Sequence, residues 1–150
     1  PISENYHQQG ILNKTIAPIS IDNNIEIDLR LKTKELSHNL NFYGILAIEL
    51  FELLDGSILF NEIAPRPHNS FHWTMDGCDN SQFDILIRTI CGLPVKDVKC
   101  SGKWEMKNII GEEINNIADI INNQDYMLHL YSKQQTKPGR KMGHYNTKII

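Results

Sequence analysis

The sequence predicts an α+β fold, an antiparallel sheet covered by helices, and three observations carry that expectation. Asp55-Gly56 stands between two apolar runs, 45–54 and 57–64, which marks a β-hairpin. Ser81 and Asp84 make a capping box ahead of Phe83, Leu86, Ile87 and Ile90, an apolar stripe of helical period. Further strand-like runs, at 11–18, 104–110 and 126–132, are set off by glycine, proline and polar segments.

The bulk numbers bound the class. A length of 150 residues suits one domain or a large part of one. The 41% hydrophobic and 22% charged residues are ordinary for a soluble globular protein. A formal net charge of -3 implies no general attraction to nucleic acid or to an acidic membrane surface. No apolar run is long enough to span a bilayer, and no signal peptide is evident. Cys78, Cys91 and Cys100 form no CxxC pair, which fits reduced thiols in a cytosol and argues against metal or redox use. The chain starts at Pro1 rather than Met, which suggests a fragment.

Taken in order, residues 1–10 are polar and read as irregular, with His7 beside two glutamines and the Gly10 break. A lone histidine of this kind is more often structural or exposed than a ligand. Residues 11–18 read as a short strand ended by Pro18. Segment 19–41 is ambiguous. Ile25, Ile27, Leu29 and Leu31 alternate as in a strand, whereas Ile25, Leu29, Leu36 and Leu40 fit a helical face that Asp22 can cap.

The hairpin carries the chemistry. A two-residue type I′ turn at Asp55-Gly56 makes facing residues sum to 111, so Glu49 faces Glu62, Phe51 faces Phe60 and Leu53 faces Ile58. Opposed like charges, with Cβ atoms about 4.5–5.5 Å apart, are destabilising. A cation, a basic side chain or a raised pKa must offset them. Hard divalent ions such as Mg²⁺ use such oxygen clusters together with substrate phosphates. The alternative is a solvated face with a lysine nearby, but the flanking apolar residues make the strands look buried.

The loop 65–79 follows, with Arg66, His68, Asn69, Ser70, His72, Trp73 and Thr74. Pro65 and Pro67 end the strand. Arg66 can compensate the paired carboxylates or bind an anion. His68 and His72 have the spacing of a helical zinc pair, but the prolines favour a loop. The crowding of polar side chains after a strand suggests a site, against the alternative of a hydrogen-bonded surface loop.

Residues 81–91 read as a core helix stopped by Gly92. A strand at 104–110, a short weak helix or irregular segment at 112–122 and a strand at 126–132 come next, the last with Met127, His129 and Tyr131 on one face. His129 reads as structural. Lys133, Lys137, Arg140, Lys141 and His144 surround the Pro138-Gly139 turn and suit a phosphate or carboxylate. A solvated edge hairpin is the equal alternative.

The run NEIAPRPHNSFHWT (61–74), with GILAIELF before it, NYHQQGIL near the start and GRKMGH near the end, resembles the C-terminal part of the N5-carboxyaminoimidazole ribonucleotide synthetase family of the ATP-grasp superfamily. That resemblance implies the ATP-grasp C-terminal fold over residues 1–95, with a small β-rich domain over 96–150. It settles 19–41 as mostly helix. It implies ATP and Mg²⁺ as cofactors, and bicarbonate and aminoimidazole ribonucleotide as substrates joined through carboxyphosphate. By resemblance Glu49 and Glu62 bind the metal, and His7, Asn61 and Glu62 contact the nucleotide. Arg66, His68 and Lys141 serve catalysis; Asn69, Ser70, Arg140 and Lys141 bind substrate. The family's cytoplasmic, homodimeric state is likewise implied.

Two positions depart from the family pattern. Phe71 stands where glycine is usual, and Ala64 where many relatives carry a metal-binding asparagine. The superfamily's phosphate-binding lysines and glycine-rich lid do not occur in this sequence. The expected partner is therefore a missing N-terminal half, without which catalysis is expected to be negligible. The competing expectations are an inactive fragment serving as a folding or dimerisation module, and another ATP-grasp ligase.

Overall fold

A computed structural model describes residues 1–149. In chain order the elements are β1 (Glu4–Gln8), β2 (Ile11–Ala17), α1 (Asn23–Asn39), β3 (Ala47–Glu52), β4 (Ile58–Ala64), α2 (Thr74–Gly77), α3 (Gln82–Ile90), β5 (Trp104–Ile110), α4 (Ile117–Ile121), β6 (Met127–Leu130) and β7 (Lys141–Lys148). Two 3₁₀ turns, Asn69–Phe71 and Gly111–Asn116, complete them. This is the mixed fold, antiparallel sheet with helices, that the sequence predicts. The residues form two compact units: Pro1–Ile19 with Asn69–Asp79 and Val98–Ile150, and Ser20–His68 with Asn80–Asp97.

The first unit is built on a five-stranded antiparallel sheet of order β1-β2-β5-β7-β6. Its first strand corrects the sequence reading, which left 1–10 irregular. Glu4–Gln8 pairs with β2 through a two-residue turn at Gln9 and Gly10, both at positive φ (52° and 75°). An edge strand needs only backbone pairing, so its side chains can be polar throughout and show no alternation.

Leu12, Ala17, Trp73, Trp104 and Met106 form the core of this unit. Gly77 lies between the two indoles. A Cβ there would come within 2.8 Å of Trp73 and 2.9 Å of Trp104. Cys78 and Cys100 pack against the same cluster and are joined by a disulfide. This corrects the expectation of three reduced thiols; among the described residues only Cys91 is free, and it is exposed. The two cysteines stand opposite each other in an isolated antiparallel bridge, 22 residues apart in sequence, and neither spacing nor composition announces such a contact.

A buried polar row crosses the sheet. Asn108, His144 and His129 are direct neighbours on β5, β7 and β6. Tyr131 Oη lies 2.8 Å from His144 Nδ1, and His129 Nε2 lies 2.8 Å from Asp76 Oδ2. Asn146 donates to the same Asp76 oxygen and to the His72 carbonyl. These bonds tie the segment Asn69–Asp79 to the sheet and agree with the structural reading of His129.

The second unit holds α1, the β3–β4 hairpin and α3. Asp22 caps α1 by accepting from the Asn24 and Ile25 amides. Ile25, Leu29 and Leu36 are the half-buried face, so the helical reading of 19–41 holds. Ser81 caps α3 with the full capping box, as its sequence predicts. The expected burial of the α3 stripe is not found. Ile87 is 58% and Ile90 70% exposed, and Gln82 is the buried residue of this helix. A period identifies an apolar face, not what covers it.

The hairpin register is the fourth correction. Asp55-Gly56 is not a two-residue turn. Leu53 N donates to Ser57 O, which leaves Leu54, Asp55 and Gly56 as a three-residue loop, with Gly56 at φ 81°. Near the loop, Leu50 faces Phe60, Phe51 faces Leu59 and Glu52 faces Ile58, so the Phe51–Phe60 and Leu53–Ile58 pairs do not form. A bulge then shifts the register between Glu49 and Leu50, and Glu49 does face Glu62. Nor are these strands buried: Phe51 is 54% and Phe60 60% exposed.

Candidate functional site

Glu49 and Glu62 lie opposite each other where the bulge interrupts the ladder. Asn61 is the additional residue of the bulge, and its Nδ2 donates to Glu49 Oε2 at 3.3 Å. The bulge thus brings two consecutive side chains of β4 to one partner on β3. Past Ala64, the segment Pro65-Arg66-Pro67 leads to His68. The His68 ring enters between the carboxylates, Nε2 3.0 Å from Glu62 Oε1 and Nδ1 3.7 Å from Glu49 Oε1. The side chains of Glu49 and His68 are 11% exposed and that of Glu62 50%. The cluster is therefore rooted in the protein and open on the Glu62 side.

The donor set suits a divalent ion. One carboxylate oxygen from each glutamate and one imidazole nitrogen lie within 4.8 Å of one another. Carboxylate oxygens suit magnesium and calcium, and an imidazole widens the range toward manganese and zinc. The like-charge repulsion noted from the sequence would be offset by a cation held between the two carboxylates.

His68 is held by its backbone. Its N–H donates to Gln82 Oε1 at 2.8 Å, and Gln82 Nε2 donates to the His68 carbonyl at 2.9 Å. Arg66 is exposed and turns its Nη1 onto the Pro67 carbonyl at 3.0 Å, so its guanidinium does not compensate the paired carboxylates here. Ala64 is buried opposite Ala47 and offers no ligand.

The other candidates belong to the sheet unit. Asn69 exchanges two hydrogen bonds with Asn108, at 3.0 and 2.6 Å, while Asn108 also donates to the Leu12 carbonyl. Ser70 is buried beside it in the 3₁₀ turn that also contains Phe71. Arg140 and Lys141 leave the turn at Lys137–Arg140, where Arg140 N donates to Lys137 O. Arg140 Nη1 donates to Gln135 O at 3.1 Å, and Lys133 Nζ donates to Lys141 O at 2.6 Å. The basic residues are thus gathered around one turn. His7 is exposed on β1.

The structure brings Glu49, Asn61, Glu62 and His68 into one cluster. Sequence reasoning missed Gln82 and Asn108, the two amides that hold this loop. A buried side-chain amide bonded to a distant backbone leaves no periodic signal.

Comparison with known proteins agrees with the resemblance. Residues 1–83 match the ATP-grasp domain, and residues 105–148 match the phosphoribosylaminoimidazole carboxylase C-terminal domain. The N5-carboxyaminoimidazole ribonucleotide synthase of Brucella melitensis biotype 1 is 39% identical over 143 residues, 95% of this chain and 40% of the relative. A solved ADP complex of N5-carboxyaminoimidazole ribonucleotide synthetase superposes with TM-score 0.91 at 41% identity, over 98% of this chain and 39% of that one. The Aspergillus clavatus synthase in complex with ADP and 5-aminoimidazole ribonucleotide gives TM-score 0.86 at 33% identity, over 98% of this chain and 42% of that one. The chain spans about two fifths of the length of these relatives. Because the ATP-grasp match takes in more than half of the residues, and the fold and carboxylate cluster accord with it, the chain belongs to the ATP-grasp family.

Proposed function

We propose that this chain is the C-terminal portion of an ATP-dependent carboxylating ligase of de novo purine biosynthesis. The observation that carries the proposal is the Glu49–Glu62–His68 cluster, set at a bulge and carried by a chain whose relatives share that activity in name. In the proposed reaction a bicarbonate oxygen attacks the γ-phosphorus of ATP, giving carboxyphosphate and ADP. The exocyclic amine of 5-aminoimidazole ribonucleotide then attacks the carboxyl carbon, and phosphate and the amine proton leave.

Phosphoryl transfer of this kind is mostly positioning and charge neutralisation. Glu49 and Glu62 would hold Mg²⁺, which neutralises the phosphate oxygens when bound. Asn61 orients Glu49 by its hydrogen bond. His68, beside both carboxylates, would bind bicarbonate or carboxyphosphate, with Arg66 swinging from the Pro67 carbonyl to the same anion. Asn69 and Ser70 line the substrate side, and Arg140 and Lys141 bind its phosphate. His7, with Asn61 and Glu62, contacts the nucleotide.

The division into residues 1–95 and 96–150 is proposed on the two family matches, which end and begin near that boundary. A homodimer and a cytoplasmic location are proposed from the family resemblance alone. Against the second stands the Cys78–Cys100 disulfide, since disulfides are rare in a reducing cytosol.

The chain is proposed to be inactive until joined to an N-terminal half. The test mixes the two and measures ADP release that depends on aminoimidazole ribonucleotide. Activity should appear on mixing, and Glu62→Gln should lower it at least about 100-fold. ATP turnover indifferent to that nucleotide would point to another ATP-grasp ligase. Halves that never associate would leave the chain a folding or dimerisation module.

A further inference from the structure

We infer that Gln82 is a positioning residue for the carboxylate cluster: its side-chain amide grips the His68 backbone from both sides and so fixes the imidazole between Glu49 and Glu62. The functional weight of this inference rests on the reading of that cluster as a metal site. The geometry behind it does not.

His68 is poorly supported by its own segment. β4 ends at Ala64, and Pro65 and Pro67 lack the N–H groups that would continue a ladder. Gln82 supplies what the ladder does not. Its Oε1 accepts from His68 N at 2.8 Å and its Nε2 donates to His68 O at 2.9 Å, the pair of bonds that a residue of a neighbouring strand exchanges.

The burial pattern of α3 sets Gln82 apart. The apolar residues of this helix are largely exposed, while the glutamine is 6% exposed. Burying a long polar side chain costs rotamer entropy and desolvation unless its amide is satisfied, and here both amide atoms are.

The position of His68 matters to the cluster. Its Nε2 lies 3.0 Å from Glu62 Oε1 while its Nδ1 faces Glu49 Oε1 at 3.7 Å, so a backbone displacement moves the ring relative to both carboxylates. Groups that orient metal-site ligands from behind typically change affinity about 10–100-fold when removed.

The test uses the full chain, with Mn²⁺ as the probe. Mn²⁺ affinity is read by electron paramagnetic resonance and His68 amide exchange by NMR. In Gln82→Ala the His68 amide should exchange about 10-fold faster, and Mn²⁺ should bind about 10-fold more weakly. Gln82→Glu keeps the acceptor, loses the donor, and should fall between. Ser81→Ala removes the cap from the same helix end; it should lower the melting temperature while leaving both readouts as in the parent. Wild-type values of both readouts in Gln82→Ala would overturn the inference, as would equal losses in Ser81→Ala. If the parent chain binds no Mn²⁺, or Glu62→Gln binds it equally well, the metal reading fails. The His68 amide exchange then still decides the role of Gln82.

Discussion

His144 is a buried base whose surroundings keep it neutral. Burial, together with the His72 and His129 imidazoles beside it, pushes its pKa down to about 3. Tyr131 faces His144 and Asp76 faces His129 within the same cluster. In the unfolded chain the same imidazole takes up a proton near its ordinary value of about 6.5. Between those values the unfolded state binds more protons than the folded one, so stability falls as pH is lowered through that window. Full uptake of one proton corresponds to about 1.4 kcal/mol per pH unit. Urea unfolding between pH 5 and pH 7 should therefore give a steeper slope for the parent than for His144→Gln (measured at each pH as a difference, so that the carboxylates cancel). Equal slopes would show that His144 is free to protonate in the fold. Asp84 acts in the same direction in a lower window. The Ser81 hydroxyl and amide lower its pKa, so the capping box's contribution is present above the usual carboxylate value and is lost as pH falls through the lowered one.

The elements differ in how far their sequence specifies them. The α3 cap was legible because a capping box is local: Ser81 and Asp84 satisfy each other within one turn. The Glu49–Glu62 pairing was legible for a less direct reason. The assumed two-residue turn was wrong by one residue, and the bulge displaced the register by one residue the other way. β1 was illegible because edge pairing leaves no pattern in the side chains, and its Gln9-Gly10 turn is a weaker signal than Asp-Gly. The tight spot in α2 was also invisible, because Gly77 matters through two tryptophans distant in sequence. Gly77→Ala should destabilise by about 1–3 kcal/mol, since an indole must move. Gly56→Ala, which meets nothing within 4 Å but holds φ at 81°, should cost about 1 kcal/mol. Thermal melts of both variants check the order; a larger loss at Gly56 would contradict the packing argument.

For the whole molecule, the sequence motifs and the family matches converge on ATP-grasp, while the disulfide was out of reach of either. It closes a loop between the segments Asn69–Asp79 and Val98–Ile150 of one unit. A loop with a sequence separation of 22 should contribute about 3 kcal/mol through the unfolded state. Denatured but unreduced protein should show a single reactive thiol, that of Cys91, and three after reduction. Three thiols before reduction would rule out the pairing and favour a reducing compartment. The exposed α3 face and hairpin were misjudged for a different reason: burial belongs to the assembly of elements, and apolar periodicity reports only one partner of each contact.

The bulge at Asn61 has a consequence for tolerance to change. A hairpin with one continuous register transmits any change in its turn to every pair along the strands. Here the ladder is already interrupted between the tip and the carboxylates. A change in residues 53–57 therefore meets the interruption at Asn61 before it reaches the facing pair Glu49 and Glu62.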